Sequence, residues 1–202
     1  MKKIILALTL GVCSIGVANA DVFMGATYGT SWSNVENAKE TNNINANEDF
    51  SESLRNAETW GFRVGGDFET IRVYGTYEYA SKNDKGGNNH QENYILSTDY
   101  LYRVSPNTRL FAGLSAGGNR MVNESTSRNG YDYDTYSFTY GGQMGFLYNF
   151  DKNLEVEGAY RYLRNENADN KGDGTNDTSP LLKDTLQLLS LIHISEPTRP
   201  ER

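Results

Sequence analysis

Apolar and polar side chains alternate along most of the chain between residues 21 and 188. From Tyr136 to Phe150 the even positions carry mainly Tyr, Phe and Met, whereas the odd positions carry mainly Ser, Thr, Gly, Gln and Asn. Successive side chains of a strand point to opposite faces, so this period predicts a strand with one apolar face. The segment is longer than an ordinary strand and long enough to cross a bilayer when tilted.

The same period predicts eight strands in all. Six more are marked by residues 22–32, 60–68, 71–79, 94–104, 110–116 and 154–162, and an eighth opens at Leu186 and Leu188. Short turns are expected at residues 69–70, 105–108 and 151–153, and long polar loops at residues 33–58, 82–91, 121–134 and 165–182. Short turns at one end and long loops at the other are typical of an antiparallel up-and-down transmembrane β-barrel.

The face opposite the apolar one carries charges of both signs, interspersed with glycines. A soluble lipocalin-type barrel would turn this face to water, whereas a membrane barrel would turn it into the lumen. Aromatic residues cluster at the strand ends around an aliphatic middle, which favours the membrane barrel. Buried charges must be paired, so we expect a structural ion-pair network in the lumen. The predicted network is Arg63, Asp67, Arg72, Glu78, Asp99, Arg103, Glu155, Glu157 and Arg161.

The first twenty residues have the pattern of a secretory signal peptide. Lys2 and Lys3 precede an apolar stretch at residues 4–12, and Ala18-Asn19-Ala20 supplies a cleavage site. We therefore expect residues 21–188 to form the barrel domain and the cell outer membrane to be its location. The alternative is a lipoprotein anchored at Cys13, but Val12 stands where a small residue is expected.

Residues 189–202 read LSLIHISEPTRPER. The run LSLIHISEPTR resembles the conceptual translation of a sequencing-library adapter. We interpret the segment as a non-native tail that breaks the strand pattern and cuts off the eighth strand after Leu188. On this interpretation His193 has no function.

Composition narrows the functional classes further. The mean hydropathy is −0.65 and no run of 18 apolar residues occurs, which excludes a helical membrane protein. The net charge of −7 argues against a nucleic-acid partner, and one Cys excludes an internal disulfide framework.

Candidate catalytic and metal-binding chemistry is sparse. His90 is expected at a loop tip among amides, with no Ser-His-acid motif beside it. The run from Asp169 to Gly174 partly resembles a calcium loop, but Lys171 stands at a ligand position. We therefore predict no catalytic residue, no metal site and no cofactor.

The signal peptide, the eight strands, the aromatic girdles and the loop asymmetry are similar to those of small outer-membrane barrels of the outer-membrane protein A, protein X and opacity type. This resemblance covers residues 21–188. It implies a lumen filled by the barrel's own side chains and no wide pore.

We expect a non-enzymatic barrel with a structural or surface-interaction role and outward-facing long loops. The alternatives are a narrow channel for ions or small solutes and a lipid-modifying enzyme. The expected partners are outer-membrane lipid and lipopolysaccharide, with surface ligands engaged through loops 33–58 and 165–182. A monomer is expected.

Overall fold

The computed structural model describes residues 20–36, 55–84, 87–125, 133–151, 153–167 and 181–195. Within these ranges the secondary structure is strand, joined by tight turns. No helix in this part of the chain is long and apolar enough to span a membrane. The strands are β1 Asp21–Glu36, β2 Arg55–Asp67, β3 Ile71–Asp84, β4 Gly87–Ser105, β5 Thr108–Ser125, β6 Tyr133–Asp151, β7 Leu154–Asn167 and β8 Leu181–Ser195.

Each strand pairs antiparallel with the next, and β8 pairs with β1 to close the barrel. The predicted eight-stranded up-and-down barrel is thus confirmed. A path of cross-strand partners that leaves Tyr102 on β4 and passes once around the barrel returns to β4 at Glu92, ten residues away. This shear of ten tilts the strands by about 40° from the barrel axis.

The apolar face points outward and the charged face points into the lumen. Met24, Leu114 and Met144 are 62%, 69% and 62% exposed, whereas Arg63 and Arg161 are 1% and 0% exposed. A row of exposed apolar side chains on every strand has no protein to pack against, so hydrocarbon is the environment that suits it.

Lumen glycines let neighbouring strands approach closely. A Cβ added at Gly117 would lie 1.9 Å from the carbonyl oxygen of Tyr94, and one at Gly113 would lie 2.0 Å from Oδ1 of Asp99. Gly113 leaves room for the Asp99 side chain, and an added Cβ would also lie 2.3 Å from the carbonyl oxygen of Thr98. The backbone of the adjacent strand therefore requires glycine at both positions.

Several strands extend into segments predicted as loops. β1 continues to Glu36, β4 begins at Gly87 and β5 continues to Ser125. His90 consequently lies within β4, opposite Ser81, and not at a loop tip. The predicted loop boundaries are wrong here because polar residues also pair in a ladder that continues beyond the apolar belt.

β8 departs most from the sequence-based expectation. It extends to Ser195, with Leu191 and His193 facing the lumen and Ile192 and Ile194 facing outward. The expected break in the strand pattern after Leu188 is wrong, because the segment up to Ser195 keeps the period of two. The assignment of residues 189–202 as non-native stays a prediction.

Other predicted features lie outside the described residues. These are the signal peptide up to Asn19, Cys13, the centres of the four long loops, the calcium-like run 169–174 and residues 196–202.

The outward orientation predicts a depth-dependent response to charge. Leu114→Arg should destabilise the barrel by about 2–4 kcal/mol, because Leu114 lies mid-belt, whereas Val104→Arg at the turn-end edge should cost about 0–1 kcal/mol. Equilibrium unfolding in lipid vesicles measures both. Equal costs at the two positions would contradict the assigned belt.

Candidate functional site

The lumen contains a network of buried charges centred on Glu157 of β7. Nη1 of Arg63 donates to both carboxylate oxygens of Glu157, each at 2.8 Å. Nη2 of Arg72 donates to Oε2 of Glu157, also at 2.8 Å. One carboxylate therefore joins arginines from two other strands across the lumen.

A second part of the network links Arg72 to Gln143. Nη2 of Arg72 also donates to Oδ2 of Asp99 at 2.8 Å. The amide nitrogen of Gln143 donates to Oδ1 of Asp99 and to the hydroxyl of Tyr74. The Tyr74 ring lies between the two cations, with its centroid 4.1 Å from Cζ of Arg63 and 5.0 Å from Cζ of Arg72. This aromatic contact stabilises guanidinium groups that burial has removed from water.

The third part lies nearer the long loops. Nη1 of Arg161 donates to Oε1 of Glu78 at 2.7 Å, and its Nε donates to Oε1 of Gln143 at 2.8 Å. Gln187 donates to Oε2 of Glu78 at 3.2 Å. Arg63, Arg72 and Arg161 are thus matched by Asp99, Glu78 and Glu157, which gives the buried core equal numbers of cations and anions.

The turn end of the lumen holds a less buried group around Arg109. Its Nη1 donates to Oδ2 of Asp67 and its Nη2 to Oε2 of Glu155, both at 2.7 Å. Arg103 was expected in the network but is exposed at the end of β4. It lies opposite Arg109, where the register shifts, so a like charge faces it and the prediction that includes it is wrong.

Strand register explains why these side chains meet. One row of cross-strand partners runs in order through Asp67, Arg72, Asp99, Gly113, Gln143, Arg161 and Gln187. Because Gly113 has no side chain, Asp99 has room within the row. The network includes eight of the nine residues predicted for it, all but Arg103.

Neutral polar side chains fill the lumen above the charges. The Nδ2 group of Asn119 donates to Oδ1 of Asn93 at 2.5 Å, and Gln91 donates to the same oxygen at 3.3 Å. All three side chains are buried. The charged network, this amide layer and a buried apolar cluster together occupy the lumen of the described barrel; the cluster comprises Leu101, Phe111, Leu147, Ala159 and Leu189.

Among the network residues missed in the sequence, His193 lies in the segment interpreted as a non-native tail. Arg109 has the parity of the charged face but lies one residue before the predicted start of its strand. Tyr74, Gln143 and Gln187 also have lumen parity, and only their lack of charge left them out. A rule that assigned every polar residue of that parity would have found them.

Neither histidine forms a metal site. The His90 ring faces outward and stacks on Tyr79, with centroids 5.7 Å apart. His193 lies in the lumen, with Nε2 3.2 Å from Oε2 of Glu157. Among the described residues no group of His, Cys, Asp and Glu side chains could hold a metal ion.

The outward charges lie in one narrow band. With a tilt of about 40°, each residue rises about 2.5 Å along the barrel axis and each step to the next strand about 3 Å. On this scale the six outward charges with described side chains lie roughly 24–30 Å above Tyr102. They are Glu58, Glu92, Arg120, Arg164, Glu166 and Asp184.

Tyrosine hydroxyls on the membrane side of this band donate hydrogen bonds to three of its carboxylates. Glu92 accepts from the hydroxyls of Tyr77 and Tyr94 at 3.2 and 3.4 Å. Tyr140 donates to Glu166 at 2.9 Å, and Tyr162 donates to Asp184 at 2.7 Å. The aromatic residues at the other edge are Phe68, Tyr102, Tyr148 and Phe150. The outward face between them and the charges is about 25 Å tall, the height of the apolar band of outer-membrane barrels.

The family model described as "Outer membrane protein beta-barrel domain" matches residues 5–181. The chain belongs to this family. Its location in the outer membrane follows from that membership and from the lipid-facing belt. No curated protein sequence matches the chain.

Two solved structures show the same fold. Outer membrane protein H of P. aeruginosa is 31% identical, with 88% of this chain and 100% of that chain covered and a TM-score of 0.57. Neisserial surface protein A is 12% identical, with 87% and 97% covered and a TM-score of 0.64.

The Arg161–Glu78 pair predicts a double-mutant result. Arg161→Met should destabilise the barrel by about 3–5 kcal/mol, because it leaves the Glu78 carboxylate buried without its cation. Adding Glu78→Gln should recover part of that loss. Urea unfolding in lipid vesicles gives the values. Arg164→Met, on the outward face of the same strand, is the control and should cost about 0–1 kcal/mol.

Glu157 and Glu155 lie on the same face of β7 and offer a second comparison. Glu157→Gln should cost about 3–5 kcal/mol, because it leaves Arg63 and Arg72 to share one remaining buried acid. Glu155→Gln should cost less, since its side chain is 12% exposed and Asp67 still neutralises Arg109. The same unfolding assay ranks the two, and the reverse order would contradict the central role of Glu157.

Proposed function

We propose that the protein is a non-enzymatic outer-membrane barrel with a structural or surface-interaction role. Its long loops face outward and its lumen does not serve as a wide pore. The observation that carries the proposal is the lumen itself, in which charged pairs and amides occupy the space that a pore would need. A family member with a filled lumen presents only its outer surface and its loops to other molecules.

The outward band of charges supports lipopolysaccharide and outer-membrane lipid as partners. Arg120 and Arg164 lie at the depth where lipid headgroups carry phosphate, just beyond the apolar belt. The tyrosine hydroxyls that hold Glu92, Glu166 and Asp184 lower the repulsion between these carboxylates and lipid phosphates. Mixed charges at this depth suit a headgroup layer that itself carries phosphates and bound cations.

The loops at 33–58 and 165–182 are the proposed contacts for further surface ligands. A single closed barrel needs no second copy, because β8 pairs with β1 and leaves no unpaired edge strand in the described barrel. The proposed state is therefore a monomer.

One observation favours the alternative of a narrow channel. Nη2 of Arg63, Nη2 of Arg161 and Nε of Arg72 are buried and donate to no described group. N–H groups in this state favour water, and a chain of waters beside the ion pairs would conduct protons or small ions. Conductance measurements decide between a closed lumen and this path.

The enzyme alternative has one local arrangement to consider. On the outward face Ser81 lies between Glu58 on β2 and His90 on β4. A catalytic triad places the histidine between the serine and the acid, so the order here is wrong for that chemistry. The described contacts of Ser81 and His90 include no hydrogen bond between them.

A single preparation tests the proposal against both alternatives. The refolded barrel in planar bilayers should give no large, steady conductance, because its lumen is filled. Incubated with lipopolysaccharide and with phospholipid, it should release no fatty acid and transfer no acyl group. It should nevertheless bind lipopolysaccharide saturably in micelles.

The Ser81→Ala and His90→Ala variants are the controls for the enzyme alternative and should behave as the parent protein does. Ion conductance or proton flux above that of protein-free bilayers would favour the narrow channel, and hydrolysis lost in either variant would favour the enzyme.

A further inference from the structure

The outer surface of β5 forms a groove near the long-loop end. Its floor is Gly118 and Ala116, which carry no side-chain atom beyond Cβ. Gly118 lies between Tyr94 of β4 and Phe138 of β6, its direct cross-strand partners. We call this feature the β5 groove. Its two walls stand two strand spacings apart, about 9.6 Å between backbones, which leaves room for one hydrocarbon chain between the side chains.

Leu96 and Tyr140 extend the two walls of the groove, and Leu114 closes its lower end. Ala116 lies between Leu96 and Tyr140, again direct partners on the neighbouring strands. Leu114, the next outward residue of β5, is 69% exposed and stands at the bottom of the groove. The groove therefore runs from the headgroup level down to the middle of the belt, parallel to β5.

The space above Gly118 is not a packing requirement of the barrel. A Cβ added there meets no atom within 4 Å, whereas one added at the lumen glycine Gly117 meets a carbonyl oxygen at 1.9 Å. Beside the groove the neighbouring strands carry the rings of Tyr94 on β4 and of Phe138 and Tyr140 on β6. The gap on β5 thus lies in the part of the belt where adjacent strands are bulkiest.

A cation stands at the upper end of the groove. Arg120 is the next outward residue above Gly118 on β5, and its side chain is 33% exposed. Its Nη1 lies 3.5 Å from Oε2 of Glu92, and its Cζ lies 5.5 Å from the Tyr136 ring centroid. Glu92 on one side and Tyr136 on the other orient the guanidinium over the groove at headgroup depth.

We propose that the β5 groove binds one acyl chain of lipopolysaccharide while the Arg120 guanidinium binds a phosphate of the same lipid A. An apolar slot that ends beneath a cation matches a molecule with an acyl chain beneath a phosphate. The groove opens at the long-loop end, which faces the leaflet that contains lipopolysaccharide. The inference rests on the proposed function and gives its lipid contact a defined place on the barrel.

Four variants test the groove. Gly118→Leu fills the floor without a backbone clash, and Arg120→Gln removes the cation. Gly75→Leu is the matched control for the first, because Gly75 is also outward and a Cβ there meets nothing within 4 Å. Arg103→Gln is the matched control for the second, because Arg103 is an exposed arginine at the turn end and lies outside the outward band of charges. Dispersed amide spectra in dodecylphosphocholine micelles would show that each variant folds.

The probes are bisphosphorylated lipid A, its dephosphorylated form and phosphatidylglycerol, each titrated into the micelles while amide shifts are followed. With lipid A the shifts of Gly118 and Ala116 should saturate. Gly118→Leu and Arg120→Gln should each weaken binding by about fivefold or more, whereas the two controls should stay within about twofold. Dephosphorylation should weaken binding to the parent protein but not to Arg120→Gln.

Each contrary result has a distinct meaning. Lipid A binding that is equally tight in the parent, Gly118→Leu and Arg120→Gln proteins would overturn the groove and leave the proposed lipopolysaccharide contact standing. Absence of saturable binding by the parent protein would overturn both. Equal affinity for phosphatidylglycerol would overturn lipopolysaccharide as the occupant.

Discussion

All inward side chains share one narrow cylinder, because the backbone of β8 pairs with that of β1 and closes the sheet on itself. Eight strands with a shear of ten enclose a lumen about 8 Å in backbone radius, which is just wide enough for side chains to fill. In hydrocarbon the closure is obligatory, since an open edge would expose unpaired N–H and C=O groups. The pairing of lumen charges, the need for lumen glycines and the filled interior all follow from this closure.

Charges confined to such a cylinder must neutralise one another. Glu157 binds two arginines, and Gln143 connects their pairs to Arg161, so the hydrogen-bonded network is continuous from Arg63 to Glu78. Removing one member leaves its partner charged and unpaired in a medium of low dielectric constant. The free energy lost in this way exceeds the net stabilisation that the intact pair contributes. The network therefore gives the lumen a unique arrangement more than it gives the barrel a large net stability.

On the outer surface the type of side chain depends on its depth in the membrane and not on the strand that carries it. Apolar side chains occupy the belt, tyrosines mark its upper boundary and charges begin only above them. Glu92, Glu166 and Asp184 at that boundary each accept a hydrogen bond from the hydroxyl of a tyrosine one outward position below. The β5 groove differs from the open position at Gly75, because Gly118 lies between two aromatic rings, whereas Gly75 lies between Val64 and Leu96.

The period of two by itself determined the strand count, the barrel class and the face that meets lipid, because side-chain parity is a local property of any extended chain. It also identified Arg63, Arg161 and their acids as lumen residues. It did not determine which charges pair, since Arg161 and Glu78 are far apart in the chain and meet only through register and shear. Tertiary structure alone decided that Gln143 bridges the pairs, because a neutral side chain has no charge signature and is recruited by position in the closed barrel.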